Sequence, residues 1–294
     1  MQFEYAGTIG LPDGRYLSRR AAGEEGAEPA PAEGERDERV LVIATDGAPP
    51  PPRRRRMRAR GAESEAPPKP LPLTRATAIR AFEPFADEPE AERWLDAATE
   101  VAETADALVE EGMALLNRAL HANAAASGDP YSPELTPGRA VTVRIGFGSG
   151  DQVAEGEFAV AREVDMRGGL PRRRRAEDLR PQERLAAVLG GRERIDASET
   201  LLLRARADLD AGRMREAALQ LRVGLEALLV ELRDALSDPA HSEDMAVLNE
   251  RRGEAGDAAN AALRGELDPG SASDVEELIE ISERVLRRRR VLQG

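Results

Sequence analysis

Few residues in this chain have both the type and the spacing for chemistry. The stretch 141–164, VTVRIGFGSGDQVAEGEFAVAREV, places Gly146, Gly148 and Gly150 within five positions. Glycines so spaced let a backbone approach a phosphate closely. A Walker loop also needs a lysine after its glycines, and the chain's one lysine is Lys69. A dinucleotide fingerprint needs glycine at 151 or 153, where Asp151 and Val153 stand, and a helix behind them. A nucleophile elbow needs glycine two residues either side of Ser149, where Phe147 and Asp151 stand. The flanks alternate instead, with Val141, Val143, Ile145 and Phe147 on one arm and Phe158, Val160 and Val164 on the other. The stretch is expected to form a β-hairpin, with Phe147 and Phe158 on the core face and Ser149 to Asp151 at an exposed tip. A ligand-contacting loop is the alternative.

The remaining catalytic side chains are sparse or unselected. His121 and His241 are the only histidines and have no ligand spacing to each other. His121 follows Asn117 by four residues near an expected helix end, which suits a capping or solvated role. Carboxylates number 55, mostly on expected exposed faces, and nothing selects a pair for acid–base work or for a metal. With no cysteine, disulfides, thiolate catalysis and cysteine-based metal sites are excluded. No catalytic, cofactor-binding or metal residue is assigned, no cofactor is expected, and the balance leans away from an enzyme.

Arginine supplies the one dense positive signal. RRRR occurs at 53–56, 172–175 and 287–290. The last run closes a helix that begins DVEELIEISE, where acids in front and arginines behind suit the helix dipole. The other two fall in expected loops. Arg53, Arg54, Arg55, Arg56, Arg58 and Arg60, with Arg172, Arg173, Arg174 and Arg175, are therefore the candidate contacts for a polyanion or an acidic partner. No aromatic residue for base stacking stands among them.

Composition narrows the rest. A net charge of -13 argues against wholesale binding to nucleic acid or an anionic membrane. Aromatics are 3% of residues, so the core must come mainly from Leu, Val and Ala, in closely packed helices. No apolar run approaches the ~18–20 residues that span a bilayer, and MQFEYAGTIG lacks a basic start before an apolar leader. A cytoplasmic location is expected. Abundant Ala, Gly, Pro and Arg, all with GC-rich codons, point to a bacterial source.

The elements that must position these residues follow from period and punctuation. Phe3, Tyr5 and Ile9 alternate before LPDG (11–14), and RYLSRR is expected to return as the second strand of a hairpin. Residues 21–38 and 47–70 carry almost no large apolar side chain and are expected as disordered inserts. VLVIAT (40–45) and 71–82 are further strand candidates. A long helix follows Asp87, with Trp94, Ala98, Val101, Ala105, Leu108, Gly112, Leu115 and Ala119 as its apolar seam. Gly112 marks where it could break. Residues 167–180 read as a basic linker. Helices are expected over 181–189, 198–211, 213–237, 242–264 and 274–292.

Within that helical half, ADLDAGRMREAALQLRVGLEAL (207–228) resembles one tetratricopeptide helical hairpin. Gly212 turns the chain, Ala217 and Ala218 allow close packing, and Leu221, Leu225 and Leu228 line the face. No second copy stands at the ~34-residue period. The same stretch also resembles the helical hairpin of HEPN-type bundles. Members that cleave RNA carry Arg, four to six residues, then His, whereas Arg233 and His241 here have seven residues between them, Pro239 included. The resemblance implies a helical bundle with an interaction surface.

The expected fold is therefore α+β: residues 1–166 form an N-terminal antiparallel sheet packed on one long helix, and 181–294 an all-α helical bundle. The expected function is that of a non-enzymatic interaction or scaffold protein acting through helical surfaces. Its partner is expected to be a protein, with a second copy of the chain open and no membrane. The alternative is a regulatory protein contacting nucleic acid through the arginine-rich loops.

Overall fold

The structure is a computed structural model that describes residues 1–19, 38–47, 71–80, 84–164, 182–232, 239–265 and 267–293. The chain divides into two compact units, Met1–Gly169 and Leu170–Gly294. Its class is α+β, with an antiparallel sheet at the N-terminal side and helices elsewhere.

Among its described residues the first unit holds six strands: β1 (Gln2–Ala6), β2 (Gly14–Arg19), β3 (Glu38–Asp46), β4 (Leu73–Arg80), β5 (Thr142–Phe147) and β6 (Val160–Glu163). Their order is β2-β3-β4-β1-β5-β6, and every named pair is antiparallel. β1 therefore does not pair with β2, as the LPDG turn suggested. Gln2, Phe3 and Tyr5 are all buried, so both faces of β1 are covered, which suits a central strand. Phe3 stands opposite Ala76 of β4 and Val143 of β5. Gly7 and Gly10, both at positive φ, carry the chain away instead.

Among the described residues, three α-helices and a 3-10 turn at Pro137–Arg139 complete this unit: α1 (Glu88–Glu100), α2 (Ala102–Ser127) and α3 (Gly150–Ala154). Asp87 caps α1 by accepting from the Glu90 N–H at 2.8 Å, and the Glu90 carboxylate accepts from the Ala86 N–H at 2.6 Å. The expected single helix is two helices, interrupted at Val101, whose backbone is extended. The interruption lets two faces point at different strands. Leu95 clusters with Ile145 of β5, while Val109, Met113, Leu116 and Leu120 of α2 cover Phe3, Tyr5, Leu41 and Ile43. Gly112 is no break. A Cβ there would lie 2.9 Å from Met1 Cβ and 3.2 Å from the Phe3 ring, so glycine permits the helix to approach the sheet.

β5 and β6 pair as expected, with Phe147 opposite Val160. Their connection is longer than a tight turn. Ser149 precedes the single-turn helix α3, its N–H bonded to Gln152 Oε1 at 3.3 Å, a capping arrangement that the Ser-x-x-Gln spacing encodes. Gly156, at φ 75°, then folds back over the second face of the sheet. Its carbonyl oxygen accepts from Gln2 Nε2 at 2.7 Å and Thr77 Oγ1 at 3.1 Å.

The second unit is helical: α4 over 182–189, α5 (Ala197–Asp210), α6 (Met214–Glu231), α7 (Pro239–Glu250), α8 (Arg252–Arg264) and α9 (Pro269–Gln293). Gly212, at φ 72°, turns α5 into α6. Leu202 and Ala205 meet Ala217, Leu221, Leu225 and Leu228 in one core. Gly224 lets the two helices close up, since a Cβ there would lie 3.1 Å from Leu202. Val275, Leu278 and Val285 of α9 join the same core, so the hairpin is closed by its own bundle rather than by a second repeat. The expected helix over 242–264 is divided at Arg251. That guanidinium reaches Glu254 at 2.5 Å, Glu277 at 2.6 Å and Asp274 at 3.0 Å, tying α8 to α9.

Candidate binding cleft

At one end of the first unit's sheet, the starts of β1 and β3 meet the ends of β4 and β5. The first turn of α1 and the middle of α2 stand over them, and the glycine stretch closes a further side. These elements enclose a cleft of about 980 Å³. The volume lies at the upper end of the range that binding clefts occupy.

Its distinctive feature is where the aromatic residues go. The chain has five phenylalanines and one tryptophan, and Phe85, Trp94, Phe147 and Phe158 line this cleft. Four of these six Phe and Trp rings therefore line one open cleft, Phe147 while also packing against Leu95 and Ile145, although Phe3 shows that the sheet's core could use them. Phe85 is 42% exposed and Trp94 38% exposed. Phe85 touches Trp94, with ring centroids 5.6 Å apart, and Phe147 edge-on, at 6.3 Å. The sequence reading put Trp94 on the buried seam of the long helix. Leu95, Ala91 and Ala98 take that face, which leaves Trp94 at the mouth.

Close backbone approach shapes the glycine side. A Cβ on Gly146 would lie 2.7 Å from the Phe158 ring and 2.6 Å from the Val160 carbonyl oxygen. Gly146 thus makes room for Phe158 to lie across β5. Phe147 and Phe158 are only half-buried, at the cleft rather than within the core as expected. Ser149 to Asp151 are exposed or nearly so, as expected for the tip.

The polar groups in the cleft are largely engaged. Glu111 of α2 meets Arg39 at 3.0 Å and Arg80 at 3.2 Å, and Arg15 pairs with Glu155. The Met1 amine donates to the Ala78 carbonyl at 2.9 Å, and burial pushes its pKa down to about 5 against the opposing pull of Glu111. Ser149 is the only hydroxyl among the described lining residues, and it bonds Gln152 rather than a base. The arrangement can exclude water and seat an apolar or aromatic-seeking group. The walls of the described cleft bring no nucleophile to a general base.

The other sequence candidates fall elsewhere. Arg53, Arg54, Arg55, Arg56, Arg58, Arg60 and Arg172 to Arg175 lie outside the described residues, as does Arg233. In the third run, Arg288 pairs with Asp244, and Arg289 with Asp196 at 2.5 Å, so these side chains tie α9 to neighbouring segments of the bundle. His121 is exposed on α2. Among the described residues, no group of three or more His, Asp or Glu is placed to hold a metal ion. No helix among them is long and apolar enough to cross a membrane. The cleft itself was missed because its rings come from three separate segments. The rarity of aromatics was the available signal, since rings spent at 85, 94, 147 and 158 in so poor a chain ask for a common purpose.

Comparison with known protein families, with curated proteins and with solved structures finds no match to this chain.

Proposed function

We infer that the chain is a non-enzymatic interaction protein whose first unit seats a side group of a partner protein in the aromatic cleft, against the helical surfaces of α1 and α2. One observation carries this reading: four of the six Phe and Trp side chains line one open cleft, and Phe85 and Trp94 present much of their surface to solvent there. Exposed aromatic area costs solubility and adds nothing to folding, while buried aromatic anchors dominate the energetics of protein contacts. Engaged polar groups on the walls support binding over catalysis. The second unit, with an Ala- and Leu-rich core and ion pairs between its helices, supports a scaffold role.

The test is capture of partners from native lysate by wild type and by Phe85→Ser, with and without nuclease. Phe85 is partly exposed, so the substitution spares the core. Partners retained after nuclease and lost in the variant support the reading. Partners lost on nuclease treatment but kept by the variant overturn it in favour of nucleic-acid contact through the arginine-rich segments.

A further inference from the structure

Resting on that reading, we propose that the group received at the mouth of the cleft is a methylated ammonium on a lysine side chain of the partner protein. Phe85, Trp94 and Phe147 form one cluster of rings, and the first two present surface to solvent. A cation within about 6 Å of such ring centroids is attracted to the negative faces of the rings.

The charges beside the rings favour a cation. Asp87 and Glu88 line the mouth, and Glu90 stands in the same first turn of α1. The helix N-terminus opposes them with roughly half a positive charge, which three carboxylates outweigh. The arginines lining the cleft are each paired with a carboxylate, Arg39 and Arg80 with Glu111 of the same cleft and Arg15 with Glu155.

Methylation matters because of what the rings lack. A plain lysine ammonium is strongly hydrated and wants three acceptors. Phe85, Trp94 and Phe147 offer none. Methyl groups keep the charge, remove the donors and add apolar surface that suits the rings. Exposure favours a protein-borne group over a free small cation. Phe85 and Trp94 are each about two-fifths exposed at the mouth. A partner surface would supply the missing cover.

Trp94 is the only tryptophan, so its emission reports on the site directly. The full chain is titrated with four probes: a short peptide carrying trimethyl-lysine, the same peptide with unmodified lysine, the same peptide with the neutral tert-butyl isostere, and free choline. The proposal expects saturable change with the trimethyl-lysine peptide, and affinity about five- to thirtyfold lower for the neutral isostere and for the unmodified-lysine peptide, equal binding of the latter overturning the role of methylation. It expects Phe85→Leu, which keeps apolar area, and Asp87→Asn, which keeps the helix cap, each to weaken the trimethyl-lysine peptide more than the neutral one, so that the preference between the two falls. Equal binding of neutral and charged peptides overturns the proposal and leaves the apolar cleft standing. Choline binding more tightly than the peptide overturns the protein source. Absence of response to every probe overturns the proposal, while the lysate experiment judges the interaction role separately.

Discussion

Phe158 lies across Gly146 so closely that the backbone of β5 supports the ring with no side chain between them. A Cβ at 146 would meet the ring at 2.7 Å and the Val160 carbonyl oxygen at 2.6 Å. Backbone cannot yield as a side chain tip can. Gly146→Ala is therefore expected to cost about 1–3 kcal/mol, read from the denaturant midpoint, and to displace Phe158 from the cleft wall. A variant as stable as wild type would mean that the β5–β6 pair shifts without penalty.

Gly156 anchors the same connection to the sheet's second face. Its oxygen takes hydrogen bonds from Gln2 and Thr77, both buried, and Gly156 itself sits at positive φ with Thr77 Oγ1 3.1 Å from where a Cβ would be. Gln2→Ala is expected to cost about 1–3 kcal/mol, because a buried acceptor loses its shorter bond. Gly156→Ala adds backbone strain of about 1 kcal/mol or more to that contact. Equilibrium urea unfolding measures both.

Tyr5 gives the first unit a dependence on alkaline pH. It is buried under α2, and burial raises its hydroxyl pKa above the ordinary tyrosine value, against a smaller opposing pull from Arg139. The unfolded chain releases that proton from roughly pH 10, while the folded chain keeps it. Stability is thus intact below that pH and falls as pH rises beyond it, because the folded state then binds more protons than the unfolded one. Tyr5→Phe is expected to flatten the fall in urea midpoint above roughly pH 10. Parallel curves for variant and wild type would refute this.

Leu221 is fully buried where α5, α6 and α9 share a core. Leu221→Ala is expected to cost about 2–5 kcal/mol, while exposed Val223 on the same helix tolerates alanine within about 0.5 kcal/mol. Comparing the two thermal transitions by circular dichroism separates a core position from a surface one.

Local signals were legible wherever one residue acts on its own neighbours. Asp87 marked the start of α1, Gly212 the α5–α6 turn, and the alternation of Val143, Ile145 and Phe147 the strand β5. Pairing was less legible. LPDG implied that β1 pairs with β2, but burial on both faces of β1 placed it between β4 and β5. The break at Val101 was hidden because the apolar spacing continues through it. The helix division at Arg251 coincides with ion pairs to Asp274 and Glu277, which lie more than twenty residues away. The cleft was least legible of all, since its rings are assembled by topology, and Trp94, Phe147 and Phe158 read in sequence as ordinary core residues.

The central claim, that the cleft seats an apolar group, is tested most directly by titrating the full chain with the neutral apolar dye Nile red while following Trp94 emission. The account expects saturation at one equivalent, with Trp94 quenched as the dye fills the cleft. Phe85→Ser is expected to weaken binding about tenfold with an unchanged circular dichroism spectrum. Dye uptake that never saturates, or that leaves Trp94 emission untouched, would contradict it.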